Sequence, residues 1–226
     1  MANTGGALRS AERWKRASEL HSLHEEQKFN PLEVSGLNTL ASNGLPRGTI
    51  AEVHGRRSSG RTSVCLHILA EATARGEVCA VIDLYDSFHP VSAAAAGVRL
   101  DRLIWVRCHG NAEHAIRSAD LLLHAGGFGV VLLDLCEANP RVLNRIPLSY
   151  WYRFRRAVEH TPAILLLCAE ISQARSCSSH QLQLKHNVFH WSGKSPFLLL
   201  RGLQVQALLH KARLICPESL FIRTAA

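Results

Sequence analysis

One short loop of the chain has the residue types and the spacing that phosphate binding requires. The loop reads Gly55, Arg56, Arg57, Ser58, Ser59, Gly60, Arg61, Thr62. Its glycines allow backbone N–H groups to converge on an anion, and the start of the helix that follows adds a partial positive charge. The hydroxyl of Thr62 can also reach a magnesium ion bound to the phosphates. The spacing therefore predicts a phosphate-binding loop between a strand and a helix.

An aspartate at the end of a neighbouring strand supplies the second part of such a site. Asp134 lies at the end of the apolar strand predicted over 129–135, where its carboxylate can hold magnesium through water. The two motifs together predict a nucleotide site formed by Gly55, Ser58, Ser59, Gly60, Arg61, Thr62 and Asp134, with Thr62 and Asp134 as the magnesium ligands. The alternative is a Gly/Ser-rich turn beside an unrelated aspartate.

Arg61 occupies the loop position at which lysine is expected. Arginine keeps the positive charge but replaces a compact ammonium by a wider, planar guanidinium group. That group crowds the space between the outer phosphates. We expect phosphate binding to survive this change and efficient turnover to be lost.

The composition of the chain places it among basic globular proteins. Of its 226 residues 47% are hydrophobic and 19% are charged, which excludes an intrinsically disordered protein and a coiled coil. Lysine and arginine total 26 against 18 acidic residues, giving a net charge of +8 and a pI near 9.5. This excess favours contact with nucleic acid or another polyanion.

The cysteines and the apolar segments indicate the compartment. Seven cysteines form no C-x-x-C pair and most lie in apolar segments, which predicts reduced thiols in the core. The first residues lack the apolar stretch of a signal peptide, and the longest apolar segments, 130–135 and 163–169, are far below membrane-spanning length. We therefore expect a cytoplasmic protein without membrane contact.

Short apolar segments of strand length alternate with helical segments, a pattern typical of a parallel sheet covered by helices. Strands are predicted over 49–54, 77–84, 102–107, 129–135 and 163–169, and helices over 63–75, 112–125 and 148–159. After Glu170, shorter and more polar strands over 187–191, 197–200 and 203–209 indicate an antiparallel extension. Apolar residues at helical spacing predict an amphipathic helix or arm over 1–30, ahead of a core domain over 31–226.

The segment from Gly44 to Thr62 resembles the start of the core of RecA-family recombinases, in which G-L-P-x-G precedes the phosphate loop. The similarity covers most of residues 36–170, and a weaker match returns at Lys211, Arg213 and Pro217. The resemblance implies an α/β fold: a RecA-like three-layer domain with a mostly parallel central sheet, flanking helices and an antiparallel C-terminal extension. It also implies ATP with magnesium as the ligand.

Two positions depart from the family's catalytic pattern. Tyr85 stands where the family has its water-activating glutamate, and a phenol cannot be that base at neutral pH. Asp83 and Asp86 flank it and remain the candidates for a catalytic base, although neither has the expected spacing. Glu170 replaces a glutamine that senses the terminal phosphate, and a carboxylate there repels phosphate. With Arg61, these changes imply a RecA fold whose ATP motor is lost or rebuilt.

Several basic residues are candidates for contacts beyond the nucleotide. The resemblance implies that Lys211 and Arg213 reach a neighbouring subunit's phosphate in a composite site, the alternative being a basic strand edge. The candidates for DNA contact are Arg56, Arg57, Arg141 and Arg145. The aromatic and basic segment 150–156 is typical of single-strand binding surfaces, but its helical spacing favours packing into the core.

The chain also resembles the ImuA group, bacterial accessory proteins of a mutagenic translesion-synthesis cassette. The similar segments are 93–97, 103–108, 126–129 and 151–156. This resemblance implies an accessory role in DNA repair and SOS mutagenesis, with RecA recombinase or translesion polymerase components as partners. It also allows contact with single-stranded DNA and a homo-oligomer. The alternatives are an active DNA-dependent ATPase with a composite intersubunit site, and a regulator that holds ATP without cleaving it.

Overall fold

The fold comes from a computed structural model, which describes the backbone of residues 44–210 and 217–223 and the side chains of 44–185 and 188–210. The arm predicted over 1–30, Lys211 and Arg213 lie outside the described residues. The division into an arm and a core domain therefore stays a prediction.

A single eight-stranded sheet organises the described chain. Its strands are β1 Thr49–Gly55, β2 Val78–Asp83, β3 Leu103–Arg107, β4 Phe128–Asp134, β5 Ile164–Ala169, β6 His180–Ser192, β7 Leu199–His210 and β8 Pro217–Arg223. Their order across the sheet is β3-β2-β4-β5-β1-β6-β7-β8. Neighbours from β3 to β6 are parallel, and β6, β7 and β8 are antiparallel. The predicted parallel sheet with an antiparallel C-terminal extension is confirmed.

Helices cover both faces of the parallel part of the sheet. They are α1 Arg61–Ala74, α2 Pro90–Ala95, α3 Ala112–Ala125, α4 Pro140–Leu143 and α5 Leu148–Val158. One buried cluster joins α1 to the sheet, and a second cluster joins α3 and α5 to the opposite face. Because both faces are covered, β4 is apolar up to its terminal Asp134, and every residue of β5 is apolar and buried. These two cores give the three layers that the sequence predicts.

The antiparallel region differs from the sequence-based expectation. The strands expected over 187–191, 197–200 and 203–209 form two long strands, the 13-residue β6 and the 12-residue β7. β6 begins at His180 because its first half pairs in parallel with β1, Ala51 opposite His180. In the sequence, the alternation of polar and apolar residues over 181–184 indicates this longer strand, and it buries Leu182 and Leu184.

An ion pair fixes the amino end of the sheet. The Arg47 guanidinium contacts Glu77 with Nη2 at 2.5 Å from Oε1, and it also donates to the carbonyl oxygen of Gly129 at 3.1 Å. This pair joins the chain segment before β1 to the segments that open β2 and β4. The carboxyl ends of the same strands lie at the opposite edge, where the phosphate loop begins.

Candidate nucleotide site

The phosphate loop connects the carboxyl end of β1 to α1, as the sequence predicts. Gly60 precedes α1 with φ 88°, a left-handed conformation that favours glycine. Gly55 is required by a close approach, because a Cβ atom there would lie 2.6 Å from the carbonyl oxygen of Leu184. Thr62 lies exposed in the first turn of α1. The two glycines therefore shape the loop against β6 and against the start of the helix.

Two polar atoms of the loop are buried and unpartnered. Ser59 is 3% exposed and Arg61 is 6% exposed. Neither Ser59 Oγ nor Arg61 Nη1 has a hydrogen-bond partner among the residues that the structure describes. A buried donor without a partner costs about 1–3 kcal/mol, and a bound anion removes this cost by accepting the hydrogen bonds. The donor set of the loop therefore fits a phosphate group.

Asp134 lies at the carboxyl end of β4, opposite Asp83 in the register of β2 and β4. Its Oδ1 accepts the backbone N–H of Cys136 at 2.9 Å, and its Oδ2 lies 3.3 Å from the Ser87 hydroxyl. Burial raises the pKa of this carboxyl above its usual range. A bound cation offsets the cost of a buried negative charge, so the position suits a magnesium ligand.

Asp83 is fully buried and its oxygens are occupied. Its Oδ1 accepts the backbone N–H of Ser87 at 3.0 Å and lies 3.3 Å from the Ser87 hydroxyl. Its Oδ2 accepts the N–H of Phe88 at 2.8 Å and the indole N–H of Trp105 at 3.2 Å. The carboxylate thus anchors the turn that follows β2, and its geometry favours a structural role over proton abstraction from water.

Asp86, the other candidate base, forms ion pairs. Arg107 Nε lies 3.1 Å from its Oδ1, and His109 Nδ1 lies 2.6 Å from its Oδ2. The hydrogen bond from Arg107, with a further one from His109, lowers the pKa of Asp86 below its usual range. A carboxylate held in this way is a poorer base than a free one.

The two departures from the family pattern are both at the surface. Tyr85 is 41% exposed, and its ring edge packs against Gly110, where a Cβ atom would lie 3.3 Å away. Glu170 is exposed directly after β5. Tyr85 therefore has a packing role beside the loop that opens α3.

The candidate DNA contacts come from two segments that meet. Arg57 forms an ion pair with Glu137, which joins the phosphate loop to the segment after β4. Arg56, Arg141 and Arg145 are exposed, and Arg145 also lines a groove of about 710 Å³ beside the start of α3. The structure therefore places Arg57 close to the segment that carries Arg141 and Arg145.

The aromatic helix α5 packs inward. Trp151, Phe154 and Val158 are buried, which confirms that one face of the helix belongs to the core. On the outer face, Arg153 pairs with Asp120 of α3 at 2.5 Å, and its neighbours Arg155 and Arg156 are exposed. The aromatic residues of the core face are thus not available for stacking on bases.

Sequence reasoning missed Glu52, a carboxylate in the middle of β1 that is 3% exposed. Its Oε1 accepts the backbone N–H groups of Gln173 at 2.8 Å and Ala174 at 2.7 Å, and its Oε2 accepts the Ser172 hydroxyl at 2.6 Å. Glu52 therefore fixes the segment after β5. The sequence feature that could have identified this role is a glutamate between the apolar residues Ala51 and Val53 of β1.

A group of thiols beneath the phosphate loop was also missed. None of the six cysteines of the described range is in a disulfide, as predicted, and the Sγ atoms of Cys136 and Cys168 lie 3.0 Å apart. Cys65 of α1 is buried in the same core cluster as Cys168. The sequence places these residues far apart, and the order of β4 and β5 brings them together.

Comparison with known proteins identifies relatives of this chain. The model of the RecA N-terminal domain matches residues 28–142, a little more than half of the chain. Protein RecA of Laribacter hongkongensis is 34% identical over 138 residues, covering 58% of this chain and 39% of that protein. Protein RecA of Rhodospirillum rubrum is 41% identical over 99 residues, or 44% and 27% of the two chains. The matched region thus spans at most two fifths of these relatives. In the part of the chain that the structure describes, no helix is long and apolar enough to cross a membrane.

Proposed function

The chain belongs to the RecA N-terminal domain family, and from that premise we propose an accessory protein of DNA repair that holds ATP without hydrolysing it efficiently. The observation that carries this proposal is the state of the carboxylates beside Tyr85. Asp83 is buried with its oxygens occupied, and Asp86 is paired with Arg107 and His109. Neither carboxylate is free to activate water.

Nucleotide binding rests on the phosphate loop. Ser59 Oγ and Arg61 Nη1 are buried donors that a phosphate can satisfy, and Gly60 opens the N-terminus of α1 toward it. Thr62 and Asp134 are the residues that would hold magnesium, which neutralises phosphate charge when it is bound. These residues would orient the nucleotide. The position at which the family has its catalytic glutamate holds Tyr85, which is not a base at neutral pH.

The accessory role rests on the resemblance to the translesion-synthesis group. We infer that the chain acts by binding RecA recombinase or translesion polymerase components during error-prone synthesis, with single-stranded DNA as a further contact and self-association as a further mode. The net charge of +8 and the exposed Arg56, Arg141 and Arg145 support contact with a polyanion. The arm predicted over 1–30 is the proposed docking element for the protein partner.

A cellular assay separates this role from that of an ATPase. In a strain lacking its own copy of the gene, damage-induced mutagenesis is expected to persist with Arg61→Ala and to be lost on deletion of residues 1–30. The predicted helix of the arm carries Trp14, Leu20 and Leu23 on one apolar stripe. Trp14→Glu on this stripe is expected to abolish mutagenesis, and Arg16→Glu outside it serves as the control. Loss of mutagenesis with Arg61→Ala, at unchanged protein level, would instead favour a nucleotide-driven activity.

A further inference from the structure

We propose that Cys136 and Cys168, together with Asp134, form a binding site for one thiophilic divalent metal ion such as Zn²⁺. The site lies under the phosphate loop, on the face of the sheet that α1 covers. Thiolate sulfur and carboxylate oxygen are both zinc ligands, and three such groups with one water molecule complete a tetrahedral shell. Neither the phosphate loop nor the predicted magnesium site uses the two thiols.

The ligand atoms converge from two neighbouring strands. Asp134 ends β4 and Cys136 follows it, and Cys168 lies in β5 directly opposite Asp134. The sulfur atoms of Cys136 and Cys168 and a carboxylate oxygen of Asp134 all lie within 4.8 Å of one another. The pairing of β4 with β5 therefore brings the three ligand atoms together before an ion binds.

The geometry requires only a small adjustment to accept the ion. A tetrahedral site with zinc–sulfur distances of about 2.3 Å separates two sulfurs by about 3.8 Å. The two nearest sulfurs are 3.0 Å apart, so they must separate by about 0.8 Å. Cys136 is half-buried and lies beyond the end of β4, where a side-chain rotation can provide this movement.

A divalent ion balances most of the charge of its ligands. Two thiolates and one carboxylate around such an ion carry one net negative charge, and the thiol protons leave to the buffer on binding. The ion thus offsets most of the cost of holding these deprotonated groups in a buried position.

Other buried cysteines show that burial alone does not create such a group. Cys79, Cys108 and Cys177 are also buried, and none of them is in a disulfide. Within the described residues, the group with Asp134 is the only one in which three potential ligand atoms converge. This contrast distinguishes the site from cysteines that serve as small apolar residues.

Metal in this site would compete with the nucleotide for Asp134, a consequence that rests on the proposed function. A thiophilic ion that engages Asp134 removes a magnesium ligand. We therefore expect bound Zn²⁺ to weaken the binding of magnesium-ATP.

Anaerobic titration with Co²⁺, which reports thiolate ligation by its colour, tests the site directly. The full chain is used with a phosphine reductant and with Cys216→Ser, because Cys216 lies outside the described residues. One Co²⁺ per chain is expected, with sulfur-to-cobalt charge-transfer and tetrahedral d–d bands that Zn²⁺ abolishes. Cys136→Ser is expected to weaken binding by more than about 100-fold, the upper end of losses for outer-shell partners.

Cys79→Ala removes a buried thiol on the same face of the sheet and should leave Co²⁺ binding unchanged. Circular dichroism verifies the fold of Cys136→Ser, which removes the less buried of the two thiols. The proposal is overturned by absence of the charge-transfer band, by unchanged binding in Cys136→Ser, or by a Cys136–Cys168 disulfide forming in air without metal uptake.

A separate ATP titration keeps the two proposals distinguishable. Cobalt binding with unchanged ATP affinity overturns the competition alone, since the metal bands require no nucleotide. Cobalt binding in a chain that does not bind ATP at all overturns the proposed nucleotide site and leaves the metal site supported.

Discussion

Arg61 carries a buried guanidinium nitrogen whose hydrogen-bond partner is missing from the described protein. A buried donor without an acceptor lowers the stability of the fold. A bound phosphate supplies the acceptor, and the hydrogen bond that forms then contributes to the binding affinity. Where a lysine would carry a compact ammonium, this loop carries a planar guanidinium group, and its Nη1 atom is buried. The buried donors of the phosphate loop therefore suit an anion, and phosphate binding gives Arg61 the hydrogen bond that its Nη1 atom lacks.

Arg61→Ala is expected to weaken magnesium-ATP binding about 10- to 100-fold. A hydrogen bond from a charged group contributes about 1.5–3 kcal/mol, and each 1.4 kcal/mol is tenfold in the dissociation constant. Titration calorimetry measures the change, with Arg56→Ala as a control that removes an exposed charge from the same loop. Equal weakening in both variants would point to loop charge in general and not to the buried guanidinium.

Individual residues were predictable to different degrees. The loop residues Gly55 to Thr62 follow a local spacing, so the sequence was enough to identify them. The hydrogen bond between Asp83 and Trp105 joins positions 22 apart and depends on the register of β2 with β3. No local pattern contains that register, so the anchoring role of Asp83 appeared only in the fold.

The segment after β5 shows how one buried side chain organises an element. Glu52 reaches out of β1 and accepts two backbone N–H groups of residues 173 and 174, and the hydroxyl of Ser172. These groups belong to a stretch with little regular structure of its own, apart from a short 3₁₀ turn at Arg175–Cys177. The carboxylate replaces the hydrogen bonds that a helix or strand would otherwise provide.

Glu52→Ala is expected to lower the free energy of unfolding by about 2–4 kcal/mol, because it leaves two buried N–H groups unsatisfied. Glu52→Gln keeps an oxygen for those groups and should cost less. Chemical denaturation measures both variants, and hydrogen exchange at Gln173 and Ala174 should accelerate selectively in Glu52→Ala. Unchanged exchange at these two amides would contradict the anchoring role.

At the scale of the whole molecule, the strand order brings the carboxyl ends of β1, β2, β4 and β5 to one edge. That edge carries the phosphate loop, the aspartates and the thiols. The alternation of strands and helices predicted this core well, because buried parallel strands leave a strong apolar signal.

The long hairpin of β6 and β7 was predicted poorly for a physical reason. Its outer part exposes large apolar side chains, including Phe189, Trp191, Phe197 and Leu199. Strand prediction depends on one buried and one solvated face, and the outer part of this hairpin lacks that contrast, whereas the part beside β1 alternates and buries Leu182 and Leu184. Its length is instead fixed by continuous pairing between the two strands.

We propose that this chain keeps the RecA-like scaffold and has lost the hydrolysis of ATP. Phosphate release from ATP, measured with magnesium in the presence and absence of single-stranded DNA, tests this loss. We predict release at background level in both conditions, although ATP binds. DNA-stimulated phosphate release by the wild-type chain, abolished by Arg61→Ala, would contradict the account and show an active motor.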